Sequence, residues 1–273
     1  MTTFTNIVGV PDFKLEEFAP KRSDFCLLIP IINEDGRITH ELERAQNAAI
    51  CNICDIALCD AGSTDGSTDS DALRALDVNA LLVKTGAGKQ GAQLRMGIYW
   101  ALRRGYDGII TVDGNDKDSI ESVPLFIDKL QSGCDFIQGS RFVTGGQAIN
   151  TPLSRLLAVR LLHAPITSLA SHFHFTDTTN AFRGHSRRYL EDGRVAPLRE
   201  VFSGYELLAY LSTRWASLGY SACEVPVRRE YPATGKTPTK ISPLSGNLNL
   251  LKVLIKNAFG GYNPPARTAE EHE

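Results

Sequence analysis

Residues 25–34 read FCLLIPIINE, residues 55–66 read DIALCDAGSTDG and residues 108–118 read GIITVDGNDKD. Each is an apolar or β-branched run of strand length that breaks abruptly into Asn, Asp, Gly and Ser, the pattern of a strand covered on both faces and ending in a polar loop. Runs at 80–84 and 136–138 have the same character. Helical patterns lie between the runs, at 39–49, 67–76, 90–104 and 119–131, and Thr39 and Ser119 stand where an N-cap oxygen is needed. Strand and helix in strict alternation predict an α/β fold, a three-layer α/β/α sandwich around a mainly parallel sheet.

Working outward, residues 1–23 form a polar arm. Beyond Gly145 and Gly146 the alternation stops. An apolar helix is expected at 153–171 with Pro165 inside it, then a polar turn at 176–180, a helix at 205–217 and a strand at 221–228. A Pro-, Thr-, Gly- and Lys-rich loop follows at 231–244, then an amphipathic helix at 247–259 and a disordered tail after Gly261. The domain reading is an arm (1–23), one catalytic domain (24–245), a C-terminal amphipathic helix (246–260) and a tail (261–273).

The 29 Lys and Arg against 31 Asp and Glu give a net charge of -2, which argues against a nucleic-acid binder held by counterion release. No apolar run approaches membrane-spanning length and the N-terminus has no signal-peptide core, so a cytoplasmic protein is expected, with contact at the inner membrane face as an option. The six cysteines read as reduced thiols inside apolar runs. Cys51 and Cys54 form a Cys-x-x-Cys pair without the second half-site that zinc needs.

Ligands of open α/β sheets bind beyond the carboxyl ends of the strands. The residues there are Pro30, Asn33 and Glu34 after the first run; Asp60 and Ser63 after the second; Asp113, Gly114, Asn115, Asp116, Lys117 and Asp118 after the fourth; and Gly139, Ser140 and Arg141 after the fifth. Singly, each is ordinary turn chemistry. Together they offer hard oxygen donors suited to Mg²⁺ or Mn²⁺ on a diphosphate. The stretch 85–91, TGAGKQG, opens a helix whose amides and Lys89 would face phosphate, although it fits neither a P-loop nor Gly-x-Gly-x-x-Gly.

The order Pro30…Asn33-Glu34, Asp60…Asp65, Gly88-Lys89…Arg95-x-Gly97, Asp113-Gly114-Asn115 and Gly139-Ser140-Arg141 resembles the family 2 glycosyltransferases of the GT-A fold. The later DTTNAFR at 177–183 and EVPVRR at 224–229, with Gly235-Lys236 and Lys240, are similar to the polyprenyl-phosphate branch typified by dolichol-phosphate mannose synthases. The resemblance implies a metal-dependent, inverting transfer from a nucleotide-sugar to a polyprenyl phosphate or glycan acceptor, in cell-surface glycan synthesis. It implies that Pro30, Asn33, Glu34, Asp60, Ser63, Lys89, Arg95, Asp113 and Gly114 bind the donor. Asp113 and Asn115 would hold the metal, and Arg141, Arg155, Arg183, Arg229 and Lys240 the acceptor phosphate. Asp113, Arg141 and Asp177 would be catalytic.

Two departures stand out. Where the family has Asp-x-Asp and often Gln two residues later, this chain has Asp113-Gly114-Asn115 and Lys117, so a carboxylate is missing and an ammonium is added. Transmembrane helices common in the lipid branch are replaced by an amphipathic segment with Leu248, Leu251, Ile255 and Phe259 on one face. Two other readings stay open: transfer to a sugar hydroxyl with Asp177 or Glu206 as base, and an idle nucleotide-sugar binder. A nucleotidyltransferase is disfavoured, because the Gly-, Arg- and Lys-rich loop it needs is absent around Pro30.

Overall fold

The structure, a computed structural model, describes residues 1–233 and 245–265. Lys240, most of the expected 231–244 loop and the tail from residue 266 lie outside the described residues. The strands are β1 (Thr2–Phe4), β2 (Phe13–Glu17), β3 (Phe25–Ile31), β4 (Asp55–Asp60), β5 (Ala80–Lys84), β6 (Gly108–Thr111), β7 (Phe136–Ser140), β8 (Gln147–Ile149), β9 (Arg183–Ser186), β10 (Ala222–Pro226) and β11 (Arg228–Glu230). The helices are α1 (Arg37–Asn47), α2 (Ser70–Ala75), α3 (Gln90–Arg103), α4 (Val123–Gln131), α5 (Leu153–Ala158), α6 (Ala164–Ser171), α7 (Arg187–Glu191), α8 (Glu206–Ser217) and α9 (Ser245–Ala258).

Nine strands form one sheet in the order β1-β2-β5-β4-β3-β6-β9-β7-β10, and β8 pairs with β11 in a small second sheet. In the large sheet all strands but β2 and β9 point the same way. The period of two along β3 divides its side chains between two cores. Leu28 packs with Cys59, Met96, Trp100 and Tyr210. Leu27 and Ile29 pack with Leu42, Ile38, Phe126 and Ile127 on the opposite face. This is the expected three-layer sandwich, and Gly97 shows how closely its layers approach: a Cβ there would come within 2.6 Å of Cys59 Sγ.

Four local expectations need correction. Residues 1–23 are no loose arm, because β2 extends the sheet antiparallel to β5 and β1 pairs antiparallel with β2, with Phe13 fully buried and stacked 4.8 Å from Phe4. Thr39 does not cap α1, which starts after Gly36 in a left-handed conformation that glycine adopts cheaply. Ser119 makes no capping bond to its helix, and its hydroxyl accepts the Arg228 N–H instead (2.9 Å). The long helix at 153–171 is interrupted by a π-turn at Val159–His163 just before Pro165. The proline ring would otherwise clash with the carbonyl one turn back, and the wider turn relieves it.

Helix α9 docks on α8 through buried Val253 and through Asn257, whose Nδ2 donates to Ala209 O (3.0 Å) and Thr213 Oγ1 (2.8 Å). Its other face leaves Leu248, Ile255 and Phe259 exposed. Leu153, Leu157 and Leu161 form a second exposed apolar ridge along α5 and the π-turn. Among the described residues no helix is long and apolar enough to cross a membrane.

Candidate active site

The carboxyl ends of β3 and β4 are laced together. Asp60, the last residue of β4, accepts from Gly62 N (2.8 Å), Ser63 N (3.0 Å) and Ser63 Oγ (2.5 Å). Asn33, at a positive φ of 48°, donates its N–H to Ser63 Oγ (2.9 Å) and accepts from Thr64 N (2.8 Å). Glu34 faces Arg37 at 3.0 Å. Pro30 is buried inside β3 in register with Cys59 and shapes the strand end. The glycine-rich loop reaches the same edge. Lys89 is exposed at the N-cap of α3, and Gln90, unassigned by the sequence reading, donates to Asp113 Oδ1 (2.9 Å).

Loop 113–118 is held from both sides. Gly114 is required beneath it, since a Cβ would lie 2.5 Å from Ile31 Cγ2 and 3.0 Å from Ile29 Cγ2. On the outside the backbone bonds Glu230 N to Lys117 O (2.8 Å) and Ser119 N to Arg228 O (2.9 Å) zip the loop to β11. That pairing brings Arg229 onto Asp118, with its other Nη 3.5 Å from Asp113 Oδ2. Burial opposes the Arg229 charge, but Asp118 and Asp113 outweigh it and hold the guanidinium protonated. Burial pushes Asp118 up to about 6, and burial followed by the charge of Arg229 pushes Lys117 down to about 8. Asp116 takes Arg44 (2.6 Å) and His40 (2.5 Å).

Tyr231 is the hub of a basic cluster. Lys117 Nζ lies 5.5 Å from its ring centroid, the Arg155 guanidinium 5.6 Å and that of Arg229 5.8 Å, within cation–π range. Burial resists ionisation of Tyr231, and Arg229, then Arg141 and Arg155, outweigh it and draw the phenol below its ordinary range. Beside the cluster a cleft of about 410 Å³ opens between α1 and residues 228–233, lined by Arg37, Arg44, Asn115, Lys117 and Tyr231 among others.

Three expected site residues do different work. Arg141 and Asp177 form a buried fork, with Nε and Nη2 at 2.7 and 3.0 Å from the two carboxylate oxygens. Thr179 N (3.2 Å) and Asn180 Nδ2 (3.2 Å) also donate to Asp177. Burial alone would raise the Asp177 carboxyl, but Arg141 outweighs it and keeps the group below the usual carboxylate range. A carboxylate so committed is no proton acceptor; its task is to orient Arg141. Glu224, on β10, holds the turn that carries it, accepting from Thr176 N (3.0 Å) and Asp177 N (3.1 Å). Arg183 is buried on β9, its two Nη groups donating to Leu208 O and Thr178 O (2.9 Å) and its Nε without a hydrogen-bond partner. Arg95 is likewise buried, tying α3 to Phe202 O (3.1 Å) and Gly9 O. Glu206, the alternative base, is half-buried and accepts from Gly204 N (2.5 Å).

The donor set fits the expected Mg²⁺ or Mn²⁺ poorly. Asp113 is engaged by Gln90 and approached by Arg229, the amide of Asn115 is neutral, and one oxygen of Asp118 is paired with Arg229. Asn115 Oδ1 and Asp118 Oδ1, both buried without a hydrogen-bond partner, are the features that favour an ion. Among the described residues no three His, Cys, Asp or Glu side chains cluster as metal ligands.

No protein-family model matches the chain. It is similar to the polyprenol monophosphomannose synthase of Mycolicibacterium smegmatis, 28% identical over 238 residues, 86% of each chain. It is also similar to the undecaprenyl-phosphate mannosyltransferase of Micrococcus luteus, 29% identical over 204 residues, 73% of this chain and 81% of that one. In structure it matches glucosyl-3-phosphoglycerate synthase of Mycobacterium tuberculosis in complex with Mn²⁺, UDP and glucosyl-3-phosphoglycerate. The TM-score is 0.60 at 15% identity, covering 89% of this chain and 81% of that one. The chain has the GT-A glycosyltransferase fold and resembles in sequence the family 2 glycosyltransferases of the polyprenyl-phosphate branch.

Proposed function

We propose that the protein transfers a sugar from a nucleoside-diphosphate sugar to the phosphate of a polyprenyl phosphate. One observation carries this reading: Arg155 turns inward to the basic cluster around Tyr231, while Leu153, Leu157 and Leu161 of the same helical stretch stay exposed on the outside. A phosphate site backed by an apolar ridge suits an acceptor with an anionic head and a hydrocarbon tail. The exposed face of α9 adds to that apolar surface and favours peripheral contact with a membrane.

In this reading a phosphate oxygen of the acceptor attacks the anomeric carbon as its bond to the nucleoside diphosphate breaks. A single displacement inverts the configuration. The acceptor oxygen is already anionic, so no general base is needed, which agrees with the commitment of Asp177 to Arg141. Asn33, Glu34, Asp60 and Ser63 form the nucleoside edge, and Lys89 borders it. Arg155 and Arg229 hold the acceptor phosphate, with Arg141 beside them. The Mn²⁺ of the structural neighbour speaks for a divalent ion at Asp113 and Asn115, but the donor set speaks against one, so every step is written through side chains of this chain.

The test is incubation with a panel of nucleotide-sugars and undecaprenyl phosphate, with mass-spectrometric detection of the glycolipid. Product is expected with one donor, and Arg155→Ala should raise the acceptor KM more than it lowers kcat. Transfer to a sugar hydroxyl and never to lipid phosphate would refute the proposal.

A further inference from the structure

Loop 113–118 carries three aspartates, and each already meets a cation: Asp113 and Asp118 meet Arg229, and Asp116 meets Arg44 and His40. A divalent ion usually relies on one or two carboxylates that it can claim, together with substrate phosphates. An incoming ion would find Asp118 Oδ1 buried without a hydrogen-bond partner, but the other Asp118 oxygen and Asp113 face Arg229, and it would sit against Arg229 and Lys117 in a partly buried site where like charges repel strongly. The second position of the Asp-Gly-Asn sequence supplies a neutral amide. Two residues later comes an ammonium that is 7% exposed and lines the cleft together with Asn115 and Tyr231. The loop thus supplies the positive charge that the donor diphosphate needs.

We infer that Lys117, seated between Asn115 and Tyr231 and supported by Arg229, binds the donor diphosphate in place of a divalent metal, making this transferase metal-independent. The inference rests on the donor reading above and deepens it. During transfer, negative charge grows on the diphosphate as the bond to the anomeric carbon breaks. A fixed ammonium meets that charge without recruiting an ion. Asn115 Oδ1, buried and without a hydrogen-bond partner, is available to accept a hydrogen bond from the donor.

The experiment is calorimetric titration of the full chain with UDP, GDP, CDP and TDP, each in EDTA and in Mn²⁺. It is run on wild type, Lys117→Arg, Lys117→Gln and Asn115→Asp/Lys117→Gln, with a thermal melt of each to verify folding. Wild type should bind one nucleotide equally well in EDTA and in Mn²⁺. Lys117→Gln should lose roughly tenfold or more in EDTA, the scale of one charge-assisted hydrogen bond, and Lys117→Arg should retain most of the affinity. The double variant should bind only with Mn²⁺. Wild-type binding that appears only with Mn²⁺, or a folded Lys117→Gln that binds in EDTA as wild type does, would overturn the inference and leave the transferase reading standing. Binding of no nucleotide under either condition would overturn both.

Discussion

Replacing Asp177 by Asn keeps its shape and removes its charge, which leaves Arg141 buried and uncompensated. The two side chains are 1% and 0% exposed, so water cannot take over. Removing one partner of a buried pair costs about 3–5 kcal/mol. With a urea m-value of about 3 kcal/mol/M for a chain at the large end of the usual range, the unfolding midpoint should fall by roughly 1 to 1.7 M. The pH dependence gives a second handle. The folded Asp177 carboxyl is held below its ordinary value, so its stabilisation is fully present above that value, near about 4, and is lost as pH falls through the lower folded value. The difference between wild type and Asp177→Asn should therefore be constant from pH 8 to pH 5 and shrink only in stronger acid. The assay is urea unfolding followed by far-UV circular dichroism at several pH values. A midpoint shift under about 0.3 M, or a gap that closes already between pH 8 and pH 6, would refute the reasoning.

Three further outcomes are expected. Gly114→Ala should lower stability by about 1–3 kcal/mol in a thermal melt, because its Cβ would overlap Ile31 Cγ2, and should weaken nucleotide binding by displacing Asp113. Arg183→Met should destabilise by a similar amount, leaving Leu208 O and Thr178 O without their donor, yet keep the acceptor KM of wild type; a raised KM would return Arg183 to the acceptor site. Cys134 and Cys223 have their Sγ atoms 2.9 Å apart and are partly exposed, whereas the other four cysteines are buried. A small disulfide oxidant should therefore link this pair first, seen as a crosslinked peptide by mass spectrometry, and a crosslink among the other four would contradict the structure.

The sheet's middle was legible because β3, β4, β5 and β6 are buried on both faces and read as unbroken apolar runs. β7 and β10 were also expected as strands, at 136–138 and 221–228, whereas β1, β2, β8, β9 and β11 carried no such signal. In β9 the sequence Arg-Gly-His-Ser is polar but buried, because Arg183 finds backbone carbonyls and His185 packs among Phe136 and Tyr189. β2 reads Phe-Lys-Leu-Glu-Glu, an edge-type alternation too short to stand out in an N-terminal arm. For the site, position beyond a strand end pointed to Asn33, Asp60, Asp113 and Arg141. Partnerships across distant segments were not readable. Nothing in the spacing said that Arg141 is committed to Asp177, 36 residues on, that Gln90 reaches Asp113, or that Tyr231 gathers three cations.

The reversed strand β9 also sets a ruler. It separates β6, which delivers Asp113, from β7, which delivers Arg141, and two interstrand steps place the two strand ends about 9.5 Å apart. In the proposed reaction one half of the sheet would serve the nucleotide and the other the acceptor, with a gap between them about the width of one sugar ring and its bridging oxygens. The two halves can then vary independently. Exchanging the loop that follows β7 should redirect the enzyme to another phosphorylated acceptor without altering the choice of donor.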